Sequence, residues 1–259
     1  MYICNDKESK MSEIDDFSAD DSDRLPDEIV VKIFSYLTIQ DLGCSAQVSR
    51  RFHQLSQNES LWVKFNVSEK IIPAEFIGHI LSRGTKFLSL LETNLEGQGS
   101  RLFPKQNKLK YLNLFNCSSS NERILQELIF SCHSLEKLSI GGRQISKYIK
   151  TLIQQNRLTL KVLDISAAKF ITHHVIQQIV SSCLKLEEIN ISGTRISQET
   201  VTFLCQNLPE NLLKISLGYL KVTDENVQDL VNRCCKMVEI DLHGTDITNE
   251  AVTAMIQGV

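Results

Sequence analysis

The spacing Leu-x-x-Leu-x-Leu returns along most of this chain, and a pattern that returns at a fixed distance leaves few folds open. It stands at Leu109/Leu112/Leu114, Leu135/Leu138/Ile140, Leu160/Leu163/Ile165, Leu186/Ile189/Ile191, Leu212/Ile215/Leu217 and Met237/Ile240/Leu242. Weaker versions stand at Trp62/Phe65/Val67 and Thr85/Leu88/Leu90. Successive first positions are 23, 24, 26, 25, 26, 26 and 25 residues apart. A unit of this length cannot bury its apolar face alone, so neighbouring units must stack and share one core. In the second half of the period, Ser146, Thr172, Ser197, Thr223 and Thr248 stand just before stretches such as THHVIQQIVSS and TDENVQDLVNR. A hydroxyl there can accept an otherwise unpaired N–H at a helix start. One strand followed by one helix per period predicts an α/β solenoid, a curved parallel sheet with helices on its convex side.

This is the period and strand pattern of a leucine-rich repeat. Eight parallel strands stacked at ~4.8 Å make a ribbon on the order of 35 Å long, which suits a peptide or a protein surface. Side chains alternate, so the concave face is lined by Phe87, Ser89 and Leu91, by Tyr111, Asn113 and Phe115, and on through Lys137, Asp164, Glu188, Lys214, Asp241 and His243. Phe87, Leu91, Tyr111 and Phe115 form an apolar cluster where water is expected, and are candidate substrate-binding residues. Two readings stay open: the cluster binds a partner, or the connecting segment 92–108 folds back over it. Just past the strands, Arg143, Lys169, Arg195 and Lys221 recur every 26 residues as a basic column that Asp246 breaks. They are a second set of candidate substrate contacts, for phosphate or carboxylate groups. The alternative is a solvated rim.

The stretch from Leu25 to Trp62, LPDEIVVKIFSYLTIQDLGCSAQVSRRFHQLSQNESLW, does not repeat. Pro26 suits the first position of a helix, and Asp27 and Glu28 lie at the positive end of its dipole. Ile29, Ile33, Phe34 and Leu37 mark an apolar face at helical spacing, yet Val30, Val31 and Tyr36 fall outside it, so a second burial partner is required. Thr38 with Asp41 signals a second short helix carrying Leu42, Ala46 and Val48, and Ser49 a third carrying Phe52 and Leu55. A module of roughly 40 residues is near the lower limit for stability without a staple.

Leu25-Pro26, Glu28-Ile29, Ile33-Phe34, Leu37, Asp41-Leu42, Val48-Ser49, Arg51-Phe52 and Leu61-Trp62 stand at the spacing of an F-box. With the repeats that follow, the chain resembles the F-box/leucine-rich-repeat substrate receptors of SCF (Skp-cullin-F-box) ubiquitin ligases over about residues 24 to 259. The resemblance implies a non-catalytic subunit whose F-box binds a Skp-family adaptor, and through it a cullin-RING ligase. The adaptor contacts would come from Leu25, Pro26, Glu28, Ile29, Ile33, Phe34, Leu37, Leu42, Val48 and Trp62. It also implies a protein substrate on the repeats, cell-cycle related and phosphorylated, and a small Cks-type accessory protein. The organisation expected is an acidic disordered tail over 1–24, an F-box over 25–62, an atypical linker repeat over 62–84, and repeats over 85–259. The last unit ends at Val259 without a polar cap, which reads as a fragment, a short isoform or a solenoid closed by something else. A leucine-rich-repeat scaffold that delivers nothing to a ligase is the rival reading.

Composition agrees with a non-catalytic protein of the cytoplasm and nucleus. Among 259 residues, 42% hydrophobic and 23% charged, no run of about 18 apolar residues occurs, and the first residues carry neither an apolar signal core nor an Arg-rich amphipathic pattern. The net charge of −3 is uneven: residues 1–24 hold eight acidic and three basic side chains, leaving +2 for the rest. Neither this charge nor any RNA-binding signature points to nucleic acid. Eight cysteines occur without paired C-x-x-C motifs. Cys132, Cys183 and Cys234, each 51 residues apart, resemble the buried thiol ladder of cysteine-containing leucine-rich repeats. No phosphate loop, HExxH or G-x-S-x-G is present, His173 and His174 read as helix-start surface residues, and no metal or cofactor is expected.

Overall fold

In a computed structural model of the protein, residues 25–98, 101–142 and 146–257 are described. The chain forms two compact units, one reaching to Leu61 and one starting at Trp62. The acidic stretch 1–24 lies outside the described residues.

The first unit contains three short helices, α1 (Asp27–Phe34), α2 (Ile39–Ser45) and α3 (Arg50–Ser56). Both expected caps form. Thr38 Oγ1 accepts the Asp41 N–H at 3.2 Å and donates to the Asp41 carboxylate at 2.7 Å, and Ser49 Oγ accepts the Phe52 N–H at 3.1 Å. Pro26 occupies the cap itself, with φ −55 and ψ 148, so the helix opens one residue later than expected, at Asp27. Arg51 fastens α3 to the start of α1, pairing with Asp27 at 2.7 Å and donating to the Leu25 carbonyl. The core holds Val30, Phe34 and Leu42, and the Phe34 ring meets Phe52 edge-on at 5.2 Å.

The buried face of α1 differs from the one expected. Val30 and Phe34, one turn apart, point inward and Leu37 is half-buried, whereas Ile29 and Ile33 are exposed. A helix that is apolar nearly all round carries periodicity without phase, and the Phe34–Phe52 contact sets the phase.

The second unit is a solenoid. Eight parallel three-residue strands form one sheet: β1 (Lys64–Asn66), β3 (Phe87–Ser89), β5 (Tyr111–Asn113), β7 (Lys137–Ser139), β8 (Val162–Asp164), β9 (Glu188–Asn190), β10 (Lys214–Ser216) and β11 (Glu239–Asp241). The partners Lys64, Phe87, Tyr111, Lys137, Val162, Glu188, Lys214 and Glu239 pair in order, so the register follows the intervals of the repeat. Their middle residues, Phe65, Leu88, Leu112, Leu138, Leu163, Ile189 and Ile215, are buried against the helices. A second parallel sheet joins β2 (Ile71–Pro73), β4 (Asn94–Glu96) and β6 (Ser118–Ser119).

The helices are α4 (Ala74–Ser82), α5 (Glu122–Phe130), α6 (Ile149–Asn156), α7 (His173–Ser182), α8 (Gln198–Asn207), α9 (Asp224–Arg233) and α10 (Asn249–Gln257). Thr172, Ser197 and Thr223 accept the N–H groups of Val175, Thr200 and Asn226, and Thr248 accepts that of Glu250. Ser146 departs from the pattern: it opens a 3-10 turn, Ser146–Tyr148, and Tyr148 precedes α6 without a side-chain cap. The unit starting at Phe87 departs further, with no helix between β4 and β5 among the described residues. An irregular segment, 101–108, stands in that place against α4 and α5. The Leu102 N–H donates to Glu127 Oε2 at 3.1 Å and Asn107 Nδ2 to Ser131 Oγ at 2.8 Å. Gly78 of α4 makes room for it, since a Cβ there would lie 2.0 Å from the Leu102 carbonyl oxygen.

Cys132, Cys183 and Cys234 are buried where helix returns to strand, and Cys117 and Cys205 are buried elsewhere. Desolvation pushes Cys132, Cys183 and Cys234 up to about 11 and Cys117 and Cys205 up to about 12. In the intervening repeat Asn156 replaces sulfur with an amide. It donates to the Cys132 and Leu152 carbonyls at 3.1 and 2.9 Å and accepts the Leu135 N–H at 2.8 Å, tying one repeat to the next.

Two outcomes follow. Asn156→Leu leaves the Leu135 N–H and the Cys132 carbonyl without these buried partners and should destabilise by about 2–4 kcal/mol in urea titration; a change below ~0.5 kcal/mol would contradict the role given to it. In a Cys4→Ser background at neutral pH, iodoacetamide should modify the exposed Cys44 and Cys235 and spare the five buried thiols until denaturant is added. Equal labelling of all seven would show that the repeats are not closed.

Candidate functional site

Two surfaces stand out, one on each unit. On the first, Ile29 and Ile33 are each 48% exposed and Tyr36 is 77% exposed, forming a stripe at intervals of four and three residues along α1 and past its end. Leu25, Ile39 and the 72%-exposed Val48 add to the apolar surface of this unit, and Pro26 and Glu28 are also exposed.

Not all the residues expected to touch an adaptor are on that surface. Phe34 and Leu42 belong to the core of the unit, because three helices of seven or eight residues need those side chains inside to close at all. Leu37 is half-buried. Trp62 belongs to the solenoid: buried, it stacks on Phe65 at 5.6 Å, and the Arg83 guanidinium lies 3.9 Å from its ring centre. Tyr36 and Ile39 complete the apolar surface instead, and Tyr36 was foreshadowed by falling outside the core face in sequence.

On the solenoid, Phe87, Leu91, Tyr111 and Phe115 occupy two adjacent rungs of the strand face. Phe87 is exposed, the other three are half-buried, and the Phe87 and Tyr111 rings lie 6.4 Å apart. Segment 101–108, which packs on α4 and α5, runs through the helix layer and not over this face. That removes the covering alternative for those residues. Gly141 of the next rung leaves space for Phe115, whose ring would lie 2.6 Å from a Cβ.

The last position of every strand in the eight-stranded sheet is polar: Asn66, Ser89, Asn113, Ser139, Asp164, Asn190, Ser216 and Asp241. These side chains are less free than a lining residue would be. Asn66, Asn113, Asp164, Asn190 and Asp241 each accept the N–H two residues on, at 3.1, 2.9, 2.9, 3.0 and 3.1 Å. They satisfy backbone donors at the strand exit. At the far end Asp241 also accepts the Ser216 hydroxyl at 2.6 Å and approaches His243 Nδ1 at 2.7 Å. The Ser216 bond first, and then His243, hold its carboxyl down at about 2.

Beyond the strands, Lys169, Arg195 and Lys221 each stand seven residues past the paired first residues Val162, Glu188 and Lys214, so they occupy one column, and all three are exposed. Asp246 holds the same place after Glu239. Arg143 lies outside the described residues. By count it falls six residues past Lys137, because the Lys137-to-Val162 step is 25 residues and the Arg143-to-Lys169 spacing is 26.

Comparison with known proteins agrees with this two-part architecture. Residues 22–68 match the family model described as F-box-like, and residues 75–257 that described as SKP2 LRR domain. F-box/LRR-repeat protein 5 of Bos taurus is 25% identical over 230 residues, covering 86% of this chain and 31% of that protein. F-box only protein 15 of Homo sapiens is 40% identical over 63 residues, 19% of this chain and 12% of that one. A Caenorhabditis elegans structural-genomics structure, a tropomodulin C-terminal domain, aligns with a TM-score of 0.42 at 11% identity over 52% of this chain and 87% of its own. The chain thus spans less than a third of the length of these two curated relatives. An F-box-like module followed by SKP2-type repeats, matched over most of the sequence, makes this chain a member of the F-box/leucine-rich-repeat family.

Proposed function

We propose that the chain is the substrate-recognition subunit of an SCF-type E3 ubiquitin ligase. It holds a Skp-family adaptor, and through it a cullin-RING ligase, on the exposed apolar surface of its first unit. A protein substrate is held on the strand face and rim of its repeats. The observation that carries this reading is the stripe Ile29, Ile33 and Tyr36 on a module of three short helices. Several large aliphatic and aromatic side chains clustered on so small a unit are the mark of a surface that is covered in use.

The chain itself need perform no covalent step. Holding a substrate lysine near a charged ubiquitin carrier raises its effective concentration, and the transfer belongs to other subunits. The family resemblance supports a cell-cycle-related, phosphorylated substrate, a Cks-type accessory protein that helps read it, and work in nucleus and cytoplasm. On the strand face the aromatic pair Phe87 and Tyr111 is the natural anchor, since aromatic side chains supply most of the energy in protein contacts of this size.

Ile33→Asp tests the adaptor contact. It places an unpaired carboxylate in an apolar interface at a site that is already half exposed in the free unit. Adaptor affinity should fall by at least about 100-fold, ~2.7 kcal/mol, with the melting profile of the repeats unchanged. Affinity within about threefold of the parent would favour the scaffold reading over the ligase one.

A further inference from the structure

The lysines beside the strand edge and those of the rim column differ in one respect. Lys110, Lys161 and Lys214 meet Glu136, Glu187 and Glu239 of the next rung at 3.1, 3.6 and 2.9 Å. Lys169, Arg195 and Lys221 have no ion pair or side-chain hydrogen bond among the described residues, although they stand on consecutive rungs in one register position. Three cations brought to one edge at ~4.8 Å per rung repel one another, and the carboxylate at the same register position, Asp246, follows only after Lys221 and forms no ion pair with it among the described residues.

Two exposed aromatic residues stand close to column residues in the chain. The repeat containing Lys169 has one more residue between strand and helix than the next two. Its cap, Thr172, stands ten residues past Val162, whereas Ser197 and Thr223 stand nine past Glu188 and Lys214. The added length leaves Phe170 64% exposed beside Lys169. Tyr219, two residues before Lys221, is 69% exposed, with φ +60, and its ring meets that of His243 at 4.6 Å.

We propose that this rim, Lys169, Phe170, Arg195, Tyr219 and Lys221, is a docking site for an extended acidic peptide that carries glutamates or aspartates at alternate positions and an apolar side chain for the rings. The inference rests on the reading of the repeats as a protein-binding surface. Charge complementarity selects the occupant: the column is positive, unneutralised and linear. One cation per rung suits carboxylates spread along a chain, whose alternate residues lie ~6.8 Å apart, and the long stems of Lys and Arg absorb the difference in spacing. A single phosphate instead needs several donors converging on one group. Phe170 and Tyr219 supply the apolar contact that makes such a site more than a salt-sensitive patch.

The test is a fluorescence-anisotropy titration of the full chain, purified with its adaptor where co-expression requires it. The probe is a short labelled peptide with glutamate at alternate positions and one phenylalanine. Binding should weaken at least about tenfold in Lys169→Glu/Arg195→Glu/Lys221→Glu, with circular dichroism unchanged. It should weaken severalfold in Phe170→Ser, and should fall steeply as salt is raised from about 0.05 to 0.5 M. Absence of binding, equal binding of the glutamine version of the peptide, or indifference to the triple reversal would overturn the site. A peptide with one phosphoserine and no glutamates that binds more than about tenfold tighter would overturn the assignment to distributed carboxylates. Adaptor co-purification of the triple variant separates this proposal from the ligase reading: adaptor kept and peptide lost assigns the loss to the rim alone.

Discussion

Each repeat is held to the next by backbone hydrogen bonds that do not stop where the strand stops. Five residues past the first residue of every strand in the eight-stranded sheet, the chain turns through a left-handed conformation, at Glu69, Glu92, Asn116, Gly142, Ala167, Gly193, Tyr219 and Gly244. The N–H groups of Glu69, Glu92, Ala167, Gly193 and Tyr219 still reach the carbonyls of Leu91, Phe115, Ser192, Gly218 and His243 at 2.8 to 2.9 Å. Side chains other than glycine cost about 1–2 kcal/mol in that conformation, and the ladder bonds offset it. Whatever stands at one position of the repeat is thereby stacked on its counterparts, and the rim column is a consequence.

The same register explains what the two faces of the sheet can do. Phe65 in the middle of β1 and leucine or isoleucine in the middle of β3, β5, β7, β8, β9 and β10 close a core with the helices, so the strand face is free to vary. It varies along its length. The rungs of Phe87 and Tyr111 are aromatic, while the later ones carry Glu188, Lys214 and Glu239, and the Asn and Asp side chains at the last strand position, Asn66, Asn113, Asp164, Asn190 and Asp241, accept backbone N–H groups at the strand exits.

Much of this was legible in the sequence, because spacing in a solenoid is also geometry. The intervals between leucines are the intervals between paired strand residues, and Thr172, Ser197 and Thr223 cap helices where hydroxyls were expected. The misses have physical causes. Five of the eight left-handed turn residues are not glycine, and four of them, Glu69, Glu92, Ala167 and Tyr219, carry no turn signal. Segment 101–108 takes a helix's place without a helix's pattern. In the first unit, an all-round apolar helix concealed which side faces inward, and Trp62 closes the F-box motif in sequence while its ring packs into the solenoid.

The central claim is that the exposed stripe Ile29, Ile33 and Tyr36 exists to be covered by an adaptor. The most direct measurement is co-expression of the chain with a Skp-family adaptor, followed by size-exclusion chromatography with light scattering. The account predicts a single peak with the mass of a one-to-one complex, and self-association of the chain when it is expressed alone. A monodisperse monomer that elutes apart from the adaptor would contradict it.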